Sequence, residues 1–409
     1  MVQFGQIVLL AGIGLLAAAA SGRLGERLRV PAPAAFLLLA AGAAKVFPAL
    51  SGALSNRDIG RIGVVALIVI LFDGGVEMGW RELRPSIGAV ASLGGLGTLL
   101  TALLGTEAAH WLLGFPWAVS GALGAALAPT DPAVVFSVLG GREPAGRSPI
   151  ILKGESGAND PVAIALMIGV VDAAQHGGGW QMRLVIDMAV QLGVGLAVGI
   201  AGAKIAVRVL HRVTAPSDTL QPVLTVATAG LVYGAAASAH GSGFLAVFVA
   251  GLLMGDAEHR VGPDVRAFHR ELAGLAEIAV FVALGLTVDV GSLRETNALT
   301  DGLVLIAIVA LVVRPPVVAA LLARARLSWG ELAFISWAGL RGAVPILLVS
   351  VAVEGGVGNG RQMYGIVFVA VAASVIVQGS MLTVVADAVG VPLRDPQSGV
   401  DAAVSAAPP

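Results

Sequence analysis

The sequence predicts an all-α polytopic membrane protein of about 13 transmembrane helices, built as two inverted repeats, spans 1–6 and 8–13, with span seven between them. Three observations carry that expectation. Of the 409 residues, 57% are hydrophobic and 12% charged, with a mean hydropathy of +0.89; a soluble domain carries roughly a quarter charged residues. Apolar stretches of roughly 17 to 25 residues, enough to cross about 30 Å of hydrocarbon, recur along the whole chain. The basic residues collect in alternate loops, as cytoplasmic loops do.

The spans read as 4–20, 31–47, 59–78, 86–105, 114–140, 150–172, 183–206, 220–238, 242–255, 274–290, 301–323, 329–353 and 362–388. The stretch at 242–255 is short for a crossing. Fifty-five glycines, with series such as Gly193, Gly195, Gly199 and Ala203, suit helices that associate in lipid through close contact of small residues. Between spans nine and ten, Asp256 to Glu271 carries three arginines and two histidines among apolar residues, and reads as a helix lying at the interface.

Alternate loops starting after span one hold 16 of the 25 lysines and arginines; the other set holds six, and Lys153, Arg314 and Arg341 fall inside spans. This asymmetry predicts an outside N-terminus and a cytoplasmic C-terminus. Span one lacks a positive flank and is expected to be retained rather than cleaved. Residues 1–390 then form the transmembrane domain, and 391–409, rich in Pro, Ser and Ala, a short disordered tail.

The absence of cysteine excludes disulfides, thiolate metal sites and cysteine nucleophiles. A net charge of −1 with no basic block excludes an electrostatic footprint for nucleic acid. No cofactor is expected.

An ionisable residue inside a span is costly unless paired or facing water, which makes each one a functional candidate. The densest group is Lys153-Gly154-Glu155-Ser156-Gly157-Ala158-Asn159-Asp160-Pro161 at the start of span six. Asp160 is about ten residues into that span, roughly 15 Å deep, near the bilayer midplane. Span five carries Ala128-Pro129-Thr130-Asp131-Pro132, whose prolines remove backbone donors and break the helix. Span twelve carries Gly339-Leu340-Arg341-Gly342-Ala343-Val344-Pro345, a second interruption. In lipid such breaks survive only where the freed backbone groups meet protein or line a cavity.

Asp131 and Arg341 are about 210 residues apart, and the same offset carries span one onto span eight. An odd linker span inverts the second repeat, so two discontinuous helices, spans five and twelve, are expected to cross at midplane. Asp73 adds a third carboxylate in the cytoplasmic half of span three. Each residue also has a structural explanation: Asp131 as a neutraliser of helix ends, Glu155 and Arg341 as an internal pair, Asp73 as a span end, and Asp160 as a carboxyl bonded to backbone. His110, His176, His211 and His240 form no cluster and read as interface residues.

A carboxyl group in an apolar cavity holds a proton near neutral pH and yields it to an arriving cation. The oxygens of Asp160, Asn159, Ser156, Thr130 and Asp73 form a hard donor set that suits an alkali ion rather than a transition metal. If only the neutralised aspartate crosses, exchange is obligatory, and one cation for one proton is electroneutral.

At Ala-Pro-Thr-Asp-Pro 128–132, Glu-Ser-Gly-Ala-Asn-Asp-Pro 155–161 and Gly-Leu-Arg-Gly-Ala-Val-Pro 339–345, the chain resembles the monovalent cation:proton antiporter-1 family of NhaP-type bacterial antiporters and animal sodium/proton exchangers. The resemblance covers all 13 spans. It implies a cation and proton site at Asp160 with Ser156, Thr130 and Asp73, and a buried ion pair between Glu155 and Arg341. It also implies electroneutral exchange from the Asn159-Asp160 pair. Leu71-Phe72-Asp73-Gly74-Gly75, Gly241 to Val247 and Ser336 to Leu340 look most like the bacterial potassium/proton branch.

The family resemblance further implies an inner-membrane homodimer in contact with lipid, exchanging K+ or Na+ for H+. Its dimerisation spans would be 1–3 and 7–10, and its core spans 4–6 and 11–13, moving like an elevator. Three alternatives fit less well. A cation-coupled uptake symporter calls for a pocket richer in aromatic and hydrogen-bonding groups, whereas the chain has two tyrosines. A channel calls for a filter-like repeat. An intramembrane aspartyl protease calls for Tyr-Asp and Gly-x-Gly-Asp signatures.

Overall fold

The computed structural model describes residues 32–47, 55–140, 142–176, 180–212, 221–257, 262–288, 290–358 and 360–394. The span expected at 4–20 lies outside them. The described chain is predominantly helical. In order it forms α1 (Ala32–Val46), α2 (Asn56–Met78), α3 (Trp80–Leu113), α4 (Trp117–Ala126), α5 (Pro132–Val138), α6 (Ser148–His176), α7 (Trp180–Arg212) and α8 (Gln221–Ser238). There follow α9 (Gly243–Gly255), α10 (Pro263–Thr287), α11 (Ala298–Leu322), α12 (Trp329–Trp337), α13 (Val344–Glu354), α14 (Gly360–Gln378) and α15 (Leu382–Ala388). Among the described residues, six segments are long and apolar enough to cross a membrane: α2, α3, α6, Val185–Leu210 of α7, α11 and α14. The chain is a multi-pass membrane protein.

Local signals set the ends of these helices. A capping box opens α2, with Ser55 Oγ accepting from Asp58 N at 3.2 Å and Asp58 Oδ2 accepting from Ser55 N at 3.2 Å. A second capping box, Ser328 with Glu331, opens α12. Apolar side chains left uncovered by protein, such as Val185, Ile186 and Ile205 on α7, give that helix a face that suits lipid.

Two expectations change. The segment 256–271 is not a separate surface helix where described: α10 begins with Pro263 at its first turn and continues unbroken to Thr287. Nothing after Pro263 removes a backbone donor, so 25 residues form one rod of roughly 37 Å, longer than the hydrocarbon is thick. The tail boundary also moves. Leu393–Arg394 pairs antiparallel with Glu143–Pro144, and Ala145 N donates to Pro392 O at 2.8 Å, so residues 391–394, expected in the tail, return onto the segment that precedes α6. The buried Val391 anchors this return.

Small residues bring α2, α7 and α9 together. A Cβ on Gly75 would stand 2.6 Å from Phe248 O, and one on Gly251 would stand 2.5 Å from Phe72 O, so α2 and α9 touch backbone to backbone. On α7, Gly195 and Gly199 face Ser242 O and Ala246 O, each at 2.6 Å from the added Cβ, whereas Gly193 faces open space. This contact fixes the helix that carries Asp73. Gly251→Val is expected to lower stability by about 1–3 kcal/mol or more, because both neighbours are backbone and must move apart. Gly193→Ala is expected to change nothing. Thermal unfolding of the two variants in detergent checks the contrast.

Candidate cation and proton site

Spans five and twelve are both interrupted. Residues 127–131 separate α4 from α5, and residues 338–343 separate α12 from α13. The breaks meet, since Asp131 N donates to Leu340 O at 2.8 Å. The physical cause is local: Pro129 and Pro132 flank one break, while Gly339 and Gly342 leave room at the other. A Cβ on Gly342 would collide with the Asp131 carboxylate, and one on Gly339 with the Arg314 guanidinium. The two glycines thus admit the charged groups that satisfy the broken ends.

Asp131 caps α5, with Oδ1 accepting from Ala133 N at 2.9 Å. Its carboxylate also lies directly over Gly342, at the start of α13, within electrostatic reach of the backbone N–H groups of Val134 and Ala343. One carboxylate therefore serves the positive ends of two half-helices. At the opposite ends, Arg341 Nη1 donates to Gly339 O at 3.0 Å and Arg314 Nη2 to Ile335 O at 3.3 Å, placing cations against the carbonyl end of α12.

The residues singled out on α6 converge on this crossing. Asn159 Nδ2 donates to Thr130 Oγ1 at 2.9 Å, tying α6 to the first break. Asp160 is 3% exposed, and among the described residues its Oδ1 has no hydrogen-bond partner; the same holds for Asn159 Oδ1. The charge nearest in effect to Asp160 is Asp131, of the same sign. Ser156 is buried one turn earlier on the same helix. Two acceptor oxygens without donors, beside a bonded hydroxyl and amide, make an arrangement that suits a proton or a desolvated cation.

Asp73 looks elsewhere. It lies on α2, and its charged neighbours are Glu77, Arg270 and Lys153. Lys153 in turn holds Glu143 at 2.9 Å and Glu77 at 3.7 Å.

The expected pair of Glu155 with Arg341 is corrected. Glu155 is bound by Arg314 of α11 in a two-bond fork, Nη1 to Oε1 at 2.8 Å and Nη2 to Oε2 at 2.9 Å. Both side chains are almost fully enclosed. The gap at Gly339 lets the Arg314 guanidinium through, and both Glu155 oxygens are then used. Arg341 turns back onto its own break, fully buried, within reach of the charges of Glu155 and Arg314.

Ser374 and Gln378 of α14 join the site without any mark in the sequence. Ser374 Oγ accepts from Arg341 N at 3.0 Å and donates to Gln378 Oε1 at 3.0 Å, while Gln378 Nε2 donates to Trp337 O at 2.6 Å. They pair backbone groups freed by the second break. The signal for Arg314 was its place inside span eleven; Ser374 and Gln378 carry no charge and gave none.

A family model described as the transmembrane sodium/hydrogen exchanger matches residues 13–388. The K(+)/H(+) antiporter NhaP of Alkalimonas amylolytica is 33% identical over 327 residues, covering 80% of this chain and 56% of that protein. The Na(+)/H(+) antiporter ApNhaP of Aphanothece halophytica is 26% identical over 340 residues, 78% of this chain and 63% of that protein. The chain thus spans little more than half the length of the first of these relatives. Its fold is that of the sodium proton antiporter MjNhaP1 of Methanocaldococcus jannaschii, with a TM-score of 0.78 at 22% identity over 92% of this chain and 99% of that one. With the match extending over nearly the whole described chain, the protein belongs to the sodium/hydrogen exchanger family.

Proposed function

We propose that the chain is a secondary antiporter that exchanges a monovalent cation, K+ and/or Na+, for H+, one for one, by competition of the two ions for Asp160. The observation that carries this reading is the carboxylate itself: buried, with an unbonded oxygen, beside the Asn159–Thr130 bond at a double helix break. Protonated or cation-bound, the site is neutral and able to pass through an apolar barrier; empty and ionised, it is held back by the cost of a bare charge in lipid. Asn159 in place of a second acid keeps the exchanged charge at one. Ser156 and Thr130 supply further oxygens, while Asp131, Glu155, Arg314 and Arg341 balance the broken helices. Asp73 lies on the cation's path at the Lys153 and Arg270 side of α2. The reading for K+ rests on the Alkalimonas relative's name, that for Na+ on the Aphanothece and Methanocaldococcus names.

The half-helices cross at midplane, and the core formed by spans 4–6 and 11–13 moves as one elevator against spans 1–3 and 7–10, which form a homodimer in the inner membrane. Contacts favour that division: α2, α7, α8, α9 and α10 pack among themselves, as do α3 with α4, α6 with α4, and α11 with α14. The N-terminus is outside and the C-terminus cytoplasmic, as the loop charges require. The family is one of transporters, and the chain acts by moving ions rather than by converting a substrate.

In proteoliposomes carrying a pH gradient, adding K+ or Na+ is expected to discharge the gradient without building a membrane potential. A series across lithium, sodium, potassium and rubidium ranks the substrates. No cation-dependent discharge by any of the four overturns antiport, and a voltage that follows the flux overturns the one-for-one count.

A further inference from the structure

Lys153 has no part in the exchange reaction at Asp160, yet three elements hold it. Its ammonium Nζ donates to Glu143 Oε1 at 2.9 Å, stands 3.7 Å from Glu77 Oε1 and lies 4.8 Å from the centre of the Phe136 ring. The side chain is 20% exposed. Its two carboxylate partners belong to different bodies. Glu77 is on α2, which packs against α9 and α10 in the scaffold of spans 1–3 and 7–10. Glu143 is fastened to the core: its backbone pairs with Arg394, and Arg147 ties the segment after it to the ends of spans four, eleven and twelve. Arg147 Nη2 donates to Ser86 Oγ at 3.2 Å, Nη1 to Ala325 O at 3.0 Å, and its backbone N to Glu331 Oε1 at 3.3 Å.

Of the ion pairs among the described residues, Lys153–Glu77 alone joins the two bodies. Lys153–Glu143 and Glu155–Arg314 lie within the core, and His176–Asp172 lies within α6. Two close approaches elsewhere along the seam are apolar. A Cβ on Gly157 of α6 would meet the Phe248 ring of α9, and one on Gly63 of α2 would stand 3.0 Å from the Leu347 side chain of α13. Apolar faces slide past one another without breaking a directional bond, whereas an ion pair is lost once its partners part by more than about 4 Å. Lys153 precedes Asp160 by seven residues on α6, roughly 10 Å along the helix and on the same face. The helix that carries the ion site is thus held to the scaffold by one charged contact.

We propose that Lys153 is a latch between core and scaffold, whose ion pair with Glu77 holds α6 in the position seen here and breaks each time the core moves. The inference rests on the antiport reading and on the elevator division within it. Glu143 and Phe136 travel with the ammonium, so it keeps partners on its own body wherever the core stands. The distances agree with that division: the partner at 2.9 Å is in the same body, and the partner at 3.7 Å is across the seam. A lasting contact with Glu143 also lowers the cost of releasing Glu77, because the ammonium is never left bare. Since Asp160 rides on the same helix, the strength of the latch sets how readily the ion site leaves this state.

The chain has no cysteine, so two introduced thiols are the only ones present. Glu77→Cys with Lys153→Cys spans the seam, whereas Glu143→Cys with Lys153→Cys lies within the core. Each pair is joined in proteoliposomes by a short bis-methanethiosulfonate linker that a reductant removes. Joining 77 to 153 is expected to cut K+- or Na+-dependent proton flux about tenfold or more, with recovery on reduction, and joining 143 to 153 to leave it within about twofold of the unlinked variant. Glu77→Gln, which keeps the side chain's shape, is expected to change turnover about threefold in the otherwise native protein and not at all in Lys153→Met. No linkage of 77 to 153, undiminished flux once they are linked, equal arrest by both links, or the same effect of Glu77→Gln with and without Lys153 overturns the latch. Absence of cation-driven flux in the unmodified protein overturns antiport and the latch with it, whereas normal flux there with an ineffective cross-seam link overturns the latch alone.

Discussion

Asp160→Asn is expected to bring cation-dependent proton flux in proteoliposomes down to the level of protein-free vesicles, while leaving the protein at least as stable as the wild type. The two halves of this expectation come from one geometry. Asparagine has the shape of the carboxylate, so packing on α6 is kept, but it holds neither an exchangeable proton nor a charge for a cation. Stability should not fall, because Asp160 Oδ1 has no donor among the described residues and Asp131, the charge that acts on it, has the same sign. Removing an unpaired buried charge relieves a cost rather than breaking a bond. Flux is read by a pH-sensitive dye and stability by thermal unfolding in detergent. Full flux in the variant excludes Asp160 as the exchange site. Lost flux with a collapsed melting temperature makes Asp160 a folding residue instead.

Much of this site is legible in the amino-acid sequence. Asp160 is recognisable from depth alone, since no loop comes within ten residues of it along span six. The two breaks are equally plain, because Pro129, Pro132, Gly339 and Gly342 interrupt apolar runs where lipid forbids open backbone. The partner of Glu155 is a different matter. Arg314 and Arg341 both fall inside spans, and which of them reaches Glu155 depends on the space above Gly339, a tertiary fact that no spacing encodes. Family resemblance pointed to Arg341, and the geometry chooses Arg314.

One other gap has a simple physical cause. A search for costly residues follows charge, and Ser374 and Gln378 have none, though they hold the backbone of Arg341 and Trp337.

Arg314→Ala is expected to cost more folded protein than Arg341→Ala, the reverse of the order implied by a Glu155–Arg341 pair. Arg314 fills both Glu155 oxygens at 2.8 and 2.9 Å, and both side chains are enclosed. Its removal strands a carboxylate out of water, and breaking such a pair costs about 3–5 kcal/mol. Arg341 makes one side-chain bond, to Gly339 O, leaves Nε and Nη2 without partners among the described residues, and is repelled by Arg314. Its loss therefore removes less. Fluorescence-detected gel filtration and thermal unfolding compare the two, and Glu155→Gln with Arg314→Met closes a double-mutant cycle. The double variant should be more stable than Arg314→Ala, because no bare charge is left. If Arg341→Ala proves the worse variant, or if the cycle shows no coupling, the fork between Glu155 and Arg314 does not hold the core. If the order stands, its reach extends to transport: Glu155 is one helical turn from Asn159, so a carboxylate released by Arg314 would place a second acid beside Asp160 and disturb the single-charge count on which electroneutral exchange depends.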